Sequence, residues 1–82
     1  MLHVAAVRPI GDARLWVRFD DGREGEVDLT AELTGAVFFP LRDSARFAEV
    51  SIDPDTRTVT WPNGADIAPE FLASLLAPTG TR

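Results

Sequence analysis

His3 is the one histidine available as a general base, and the sequence holds no Cys. A cysteine nucleophile, a thiolate zinc site and a disulfide are therefore excluded. All eight cationic residues are Arg, so a P-loop lysine and a Schiff-base amine are excluded as well. A lone His near a terminus is typical of an ordinary strand residue. We expect no catalytic, cofactor-binding or metal-binding residue in this chain.

Three carboxylates alternate along one face of a predicted strand, at Glu24, Glu26 and Asp28. Paired carboxylates catalyse acid–base reactions when burial separates their pKa values. Clustered ones bind Mg²⁺ or Ca²⁺, although this spacing matches no EF-hand loop. The expected strand pairing sets them in water, opposite Arg14, Trp16 and Arg18. We therefore favour a solvated ladder of ion pairs, each contributing less than about 1 kcal/mol.

Trp16 is the first candidate for an interaction surface. It lies between Arg14 and Arg18 on the outward side of its strand. Trp and Arg are enriched at binding hot spots, so this trio is a plausible contact for a partner protein. The alternatives are a stacked Arg–Trp contact and a chain segment that covers the indole.

The segment from Trp61 to Asp66 is the second candidate. In the functional interpretation, Asn63 and Asp66 form a recognition loop beside Trp61. In the structural one, Asn63 and Gly64 supply the positive φ angles of a turn, and Asp66 caps backbone amides ahead of a helix. We favour the structural interpretation.

The composition predicts one small folded domain, over residues 1–78, with a short tail at 79–82. Of 82 residues, 45% are hydrophobic and 26% charged, which is too apolar for a disordered chain. The N-terminus lacks a signal-peptide pattern, and no apolar run approaches the roughly 20 residues of a membrane span. With no Cys either, we expect a cytoplasmic protein. The net charge is −5 and the Arg residues are scattered, which disfavours nucleic acid and acidic membranes as partners.

The hydrophobic pattern predicts an α+β fold: a small, mostly antiparallel sheet of two hairpins with a weak N-terminal strand, short helical turns in the middle, and a C-terminal helix packed on the sheet. The first half should contain strands at 3–7, 14–19 and 24–29, with Pro9 and Gly11 ending the first. The middle should hold a turn capped by Thr30 and ended by Gly35, an extended connector at 38–41, and a turn capped by Asp43. The second hairpin should join 47–53 to 58–61 through a loop of two or four residues. The helix should begin at Pro69, cover the sheet with Phe71, Leu72, Leu75 and Leu76, and end at Pro78.

The register of the first hairpin follows from its two alternating strands. A two-residue loop would pair apolar side chains with carboxylates. A three-residue loop at 20–22 pairs Val17 with Gly25 and Leu15 with Val27 on the inner face. Gly22 suits this loop because its last residue is left-handed. The outer face then pairs Arg18 with Glu24, Trp16 with Glu26, and Arg14 with Asp28.

These segments together resemble the bacterial family DUF2442, which is uncharacterised. The similarity spans about residues 3–72, and its most distinctive part is the run Trp-Pro-Asn-Gly-Ala-Asp-Ile-Ala-Pro-Glu at 61–70. The resemblance implies a small bacterial α+β domain with no established catalytic residues. Some members carry a helix-turn-helix after the domain, and others look like partners of small neighbouring proteins in a toxin–antitoxin-like arrangement. The chain has six residues after Leu76, so we expect no DNA-binding appendage here.

The leading functional hypothesis is a small non-enzymatic protein-interaction module. Its partner would be another protein or a second copy, bound through the Arg–Trp face or by strand addition at a sheet edge. One alternative is an antitoxin-like or operon-partner protein that binds a small neighbouring protein. The other is a carboxylate-dependent enzyme, which would need acidic side chains converging in a concave pocket.

Overall fold

A computed structural model of the protein describes residues 1–76, and it shows an α+β fold built on two three-stranded antiparallel sheets. The predicted fold class is confirmed. The first sheet has the order β1-β2-β3, with β1 at Val4–Gly11, β2 at Arg14–Phe19 and β3 at Glu24–Asp28. The second has the order β4-β5-β6, with β4 at Ser51–Ile52, β5 at Val59–Thr60 and β6 at Asp66–Ile67. The tail predicted at 79–82 lies outside the described residues, and the C-terminal helix predicted to run to Pro78 is shorter, since it ends at Ser74.

The β2–β3 hairpin has the predicted register. Val17 lies opposite Gly25, and Leu15 lies opposite Val27. The three-residue loop is closed by the Phe19 N–H, which donates to the Arg23 carbonyl at 2.8 Å. Gly22 ends the loop with φ +95°, a conformation that other residues adopt only with strain. The alternation of apolar residues therefore sets the inner face as expected, and Leu15 and Val17 are fully buried.

Strand β1 is longer than predicted, because it continues through Pro9 to Gly11. Pro9 lies opposite Leu15 at the edge of the sheet, where a missing N–H removes no necessary ladder bond. The pairing with β2 is irregular between Val4 and Ala6 and again between Pro9 and Gly11. The proline is therefore tolerated because β1 lies at the edge of its sheet.

The middle of the chain is helical where an extended connector was predicted, and that prediction is wrong. Helix α1 spans Gly35–Phe38, and a 3₁₀ helix follows at Phe39–Arg42. Pro40 lies in the first turn of the 3₁₀ helix, where the absence of an N–H has little effect. Gly35 thus begins a helix instead of ending one.

The two predicted caps differ in outcome. A 3₁₀ turn does form at Thr30–Glu32, but Thr30 is not its cap: the Thr30 N–H donates to Asp28 Oδ1 at 2.8 Å. The Asp43 cap is confirmed, since the Ala45 N–H donates to Asp43 Oδ1 at 2.9 Å at the start of α2, Ser44–Phe47.

The second sheet is built from strands of two residues each. The predicted strand at 47–53 is too long, since Phe47 is helical. The β4–β5 loop has the four-residue form: the Asp53 N–H donates to the Thr58 carbonyl at 2.9 Å across it. Strand β6 was not predicted, and it pairs with β5 through the turn at 61–65.

One hydrophobic core lies between the two sheets and the helices. Its buried side chains come from every part of the chain: Val4, Leu15, Val17, Phe19, Val27, Leu29, Leu33, Leu41, Phe47, Val59, Trp61, Ala65, Ile67 and Leu72. Helix α3, Pro69–Ser74, contributes Leu72, and Leu76 lies over Gly25 of β3. The predicted apolar stripe is correct for Leu72 but wrong for Phe71, which is 40% exposed. No helix within residues 1–76 has the length and apolar character needed to cross a membrane.

Candidate interaction surfaces

The outer face of the first sheet carries the predicted trio Arg14, Trp16 and Arg18. Trp16 is half-buried, and it is held between two guanidinium groups. Arg8 Cζ lies 4.7 Å from the centroid of its ring, and Arg18 Cζ lies 5.4 Å from it. Arg8 is the direct neighbour of Trp16 across β1, and the prediction missed it because it ended that strand too early. The indole is therefore stacked within its own sheet, in the Arg–Trp arrangement that was the structural alternative.

The charges on this face also pair with one another. Arg18 Nε lies 3.0 Å from Glu24 Oε1, as predicted. Arg14 lies opposite Asp28 in the register, as predicted, but its Nη1 forms its ion pair with Glu26 Oε1, at 3.5 Å. These side chains are 48–61% exposed, so each pair contributes little to stability.

Asp28 has a separate partner. The Thr30 N–H donates to Asp28 Oδ1 at 2.8 Å. The side chain of Thr30, and after it this backbone bond, lower the pKa of the Asp28 carboxyl. Of the three carboxylates of β3, Glu24 and Glu26 thus form ion pairs with Arg, and Asp28 accepts a hydrogen bond in a turn. Within residues 1–76, no group of three or more His, Asp or Glu side chains is arranged to hold a metal ion.

His3 is held by Asp20 at the β2–β3 turn. His3 Nδ1 lies 3.0 Å from Asp20 Oδ2, and the His3 N–H donates to Asp20 Oδ1 at 3.1 Å. The Asp20 N–H returns a bond to the His3 carbonyl at 2.9 Å. The bond from the His3 backbone is the main cause that lowers the pKa of the Asp20 carboxyl. This pair ties the start of the chain to the hairpin loop.

Trp61 does not lie on the surface, and its assignment to an interaction surface is wrong. Only 2% of the residue is exposed. Its Nε1–H donates to the Phe47 carbonyl at 2.9 Å. The rings of Phe47 and Phe38 lie 5.7 Å and 6.5 Å from the indole, centroid to centroid. Trp61 therefore joins the second sheet to the helical middle of the chain.

Asn63 has the structural role that was favoured. Its Oδ1 accepts from the Ala65 N–H at 3.1 Å, which shapes the turn, and its Nδ2 donates to the Val37 carbonyl at 2.8 Å. Gly64 has φ +93°, as expected for this turn. The side chain thus fixes helix α1 against the β5–β6 turn.

Asp66 does not cap the helix, and that prediction is wrong. Ala68 occupies the N-cap position of α3, without a side-chain bond to the backbone amides. Asp66 lies in β6 instead, and its exposed carboxylate stands at the rim of a cavity. Asp66 belongs to β6, which ends only at Ile67, so it precedes the N-cap residue by two positions.

This cavity of about 240 Å³ is an open groove, here called the Phe groove. Its lining residues come from the 30–32 turn, α1, β6 and α3: Glu32, Phe38, Asp66, Ile67, Ala68 and Phe71. Phe38 is half-buried and Phe71 is 40% exposed, so their rings remain accessible. Two carboxylates flank an apolar floor, and none of the described residues brings a cationic side chain to the lining of the groove. The sequence did not predict that Phe38 and Phe71 line one groove, because residues of the unpredicted strand β6 lie in the same lining.

A second cavity of about 250 Å³ lies beside the β5–β6 turn, and it is lined by Leu41, Arg46, Glu49, Trp61, Pro62 and Asn63. Arg46 and Glu49 bring opposite charges to it, so it has no preference for a charged partner. Its only aromatic lining residue, Trp61, is buried. The Phe groove is therefore the surface whose chemistry is most distinctive.

Comparison with known proteins gives one match. The family described as Protein of unknown function (DUF2442) matches residues 4–76, from the first residue of β1 to the last that the structure describes. No curated protein and no solved structure matches the chain. The resemblance carried by the run at 61–70 is confirmed over nearly the whole sequence, and the chain belongs to the DUF2442 family.

Proposed function

We propose that this domain is a cytoplasmic, bacterial, non-enzymatic protein-interaction module that binds a partner protein through the Phe groove. The observation that carries the proposal is the accessible pair of Phe38 and Phe71 in one open cavity of about 240 Å³. Exposed apolar surface rimmed by polar groups is typical of contact sites, and aromatic residues are enriched there.

Neighbouring residues extend this apolar surface. Val37 and Phe39 flank Phe38 in the chain, and they are 45% and 60% exposed. Phe39 is partly covered by Arg42, whose Cζ lies 5.1 Å from its ring centroid. A short helical segment that exposes large apolar side chains suits a protein partner better than a small molecule, since an open groove buries little of a small ligand.

The lining of the groove supports a role in binding and not in catalysis. Among residues 1–76 it holds two carboxylates and no His, Ser, Thr or Arg. Glu24 and Glu26 of β3 face solvent in ion pairs, Asp28 accepts from Thr30 in a turn, and His3 is engaged by Asp20 on another part of the surface. An acid–base mechanism needs carboxylates whose surroundings drive their pKa values apart.

The outer sheet face is the weaker choice for the same role. Its indole is stacked by Arg8 and Arg18, and Glu24 already pairs with Arg18. A partner would have to compete with these contacts. Among residues 1–76, no guanidinium stacks on Phe38 or Phe71 and no ion pair involves Glu32 or Asp66, so a partner in the Phe groove would displace no such contact.

The test is site-specific photo-crosslinking in the native cells. A benzoylphenylalanine at position 71 should capture a discrete partner protein, whereas the same residue at exposed Asp12, in the β1–β2 turn, should not. The product of an adjacent gene is the first candidate to examine, because the family resemblance suggests small neighbouring partners. Capture at Asp12 equal to that at position 71, or no capture at 71, would contradict the proposal.

A further inference from the structure

From the charges around the groove, we infer that the partner segment is cationic as well as apolar. It places a large apolar side chain against Phe38 and Phe71 and an Arg or Lys side chain against Glu32 and Asp66. This inference rests on the proposed function, and it names the chemistry of the partner.

Within the part of the chain that the structure describes, the two carboxylates of the groove have no charged partner. Neither Glu32 nor Asp66 forms an ion pair or a side-chain hydrogen bond there. Seven acidic side chains are engaged by Arg, by His or by backbone amides: Asp20, Asp21, Glu24, Glu26, Asp28, Asp43 and Asp53. Four others, Asp12, Glu49, Asp55 and Glu70, have no such partner among these residues either, but none of them lines the groove. The groove therefore presents negative charge that residues 1–76 do not neutralise.

The surroundings of the groove strengthen this charge. Glu70, exposed in the first turn of α3, precedes Phe71 in the chain. Arg42 belongs to the 3₁₀ helix that follows Phe38. Its Nε–H donates to the Leu33 carbonyl at 2.8 Å, and Arg42 is not among the lining residues of the groove. A net charge of −5 over the whole chain adds a long-range attraction for cations.

Desolvation decides which partner the groove accepts. A purely apolar segment would remove water from Glu32, which is already half-buried, and would return no compensating bond. An acidic segment would add like-charge repulsion. A guanidinium or ammonium group replaces the lost water with a charge-assisted hydrogen bond.

The same reasoning disfavours a second copy as the occupant. Two grooves face to face would bring Glu32 and Asp66 of both chains together, and within residues 1–76 neither lining contains an Arg or Lys. Like charges at close range oppose association, and each chain already carries −5. The groove is thus suited to a different, basic chain.

The test uses two short synthetic peptides that share a leucine pattern, one with arginine and one with glutamate at the remaining positions. Amide chemical shifts of Ile67, Ala68 and Phe71 should move and saturate with the arginine peptide. The glutamate peptide should bind at least about tenfold more weakly. Raising salt from about 0.05 M to about 0.3 M should weaken the arginine peptide further.

Matched variants separate the groove from general electrostatics. Glu32→Gln with Asp66→Asn should reduce affinity for the arginine peptide about tenfold. Asp12→Asn with Glu49→Gln makes the same change in net charge away from the groove and should have little effect. Both double variants should unfold at nearly the same temperature as the parent, which excludes misfolding as the cause.

Three outcomes would overturn the inference: equal affinity for the two peptides, equal losses in the two double variants, or shifts confined to residues outside the groove. If position 71 still captures a partner in cells, such a result removes the charge preference and leaves the interaction module standing. If position 71 captures nothing, the proposed function itself fails.

Discussion

The indole of Trp61 donates its Nε1–H to the backbone carbonyl of Phe47, at 2.9 Å, in the interior of the domain. This bond joins β5 to the end of α2. The same indole meets the ring of Phe38 edge-on, at an interplanar angle of 79°. Trp61, which was predicted to belong to a recognition loop, is therefore a buried residue that packs against Phe38, a lining residue of the Phe groove.

Trp61→Phe should destabilise the domain by about 1 to 3 kcal/mol, because it leaves the buried Phe47 carbonyl without its donor. Urea unfolding measures the effect. Trp16→Phe is the matched control on the outer sheet face, where Trp16 is half-buried and its Nε1–H has no acceptor among the described residues, and it should change stability less. Equal losses in the two variants would contradict the role given to the Trp61 hydrogen bond.

Asn63→Ala should lower the melting temperature, since it removes both the bond to the Ala65 N–H and the bond to the Val37 carbonyl. The expected loss is about 1 kcal/mol for each bond. Asn63→Asp retains the acceptor for the Ala65 N–H but sets a carboxylate oxygen against the Val37 carbonyl, so it should also lose stability. A melting temperature of Asn63→Ala equal to that of the parent would contradict the role given to the two bonds.

Gly22→Ala should destabilise the first hairpin by about 1 kcal/mol, because φ +95° is unfavourable for a residue with a Cβ. A Cβ at this position would meet no atom within 4 Å, so only the backbone conformation is at issue. Gly22→Asn should lose less, since Asn tolerates left-handed conformations. Thermal unfolding followed by circular dichroism compares the three proteins.

Acid should destabilise the domain in a defined direction. Asp20 and Asp53 have folded-state pKa values below their ordinary range, mainly because backbone N–H groups of His3 and Asp55 donate to them. A depressed folded pKa contributes stability that is present above the unfolded pKa of about 3.9 and is lost as pH falls through the folded pKa. The melting temperature should therefore be nearly constant above about pH 5 and fall below about pH 4. Asp53→Asn should show a smaller fall, and a melting temperature that rises on acidification would contradict the assignment.

The first hairpin could be predicted from the sequence because two independent patterns agree on it. The apolar alternation of β2 and β3 and the glycine at the end of their loop fit only one register, so Leu15 and Val17 could be placed inward. Pro9 misled the prediction of β1, since the proline rule applies to central strands and β1 is an edge strand.

The second sheet and the groove depend on tertiary contacts that leave no periodic signal. Strands of two residues, such as Asp66–Ile67, are too short to show an alternation. Because β6 was not predicted, Asp66 was assigned as a helix cap, and its position in the same groove as Phe38 and Phe71 was not predicted. The apolar run at 36–41 is evident in the sequence. Its helical form is supported by a tertiary contact, the Asn63 bond to the Val37 carbonyl, which the sequence pattern does not indicate.

The affinity of the captured partner for two single variants tests the central claim most directly. Phe71→Ala removes an exposed ring of the Phe groove, and Trp16→Ala removes the indole of the outer sheet face. Isothermal titration should show at least about a tenfold loss for Phe71→Ala and little change for Trp16→Ala. Unchanged affinity for Phe71→Ala together with a large loss for Trp16→Ala would contradict the account and place the contact on the outer sheet face.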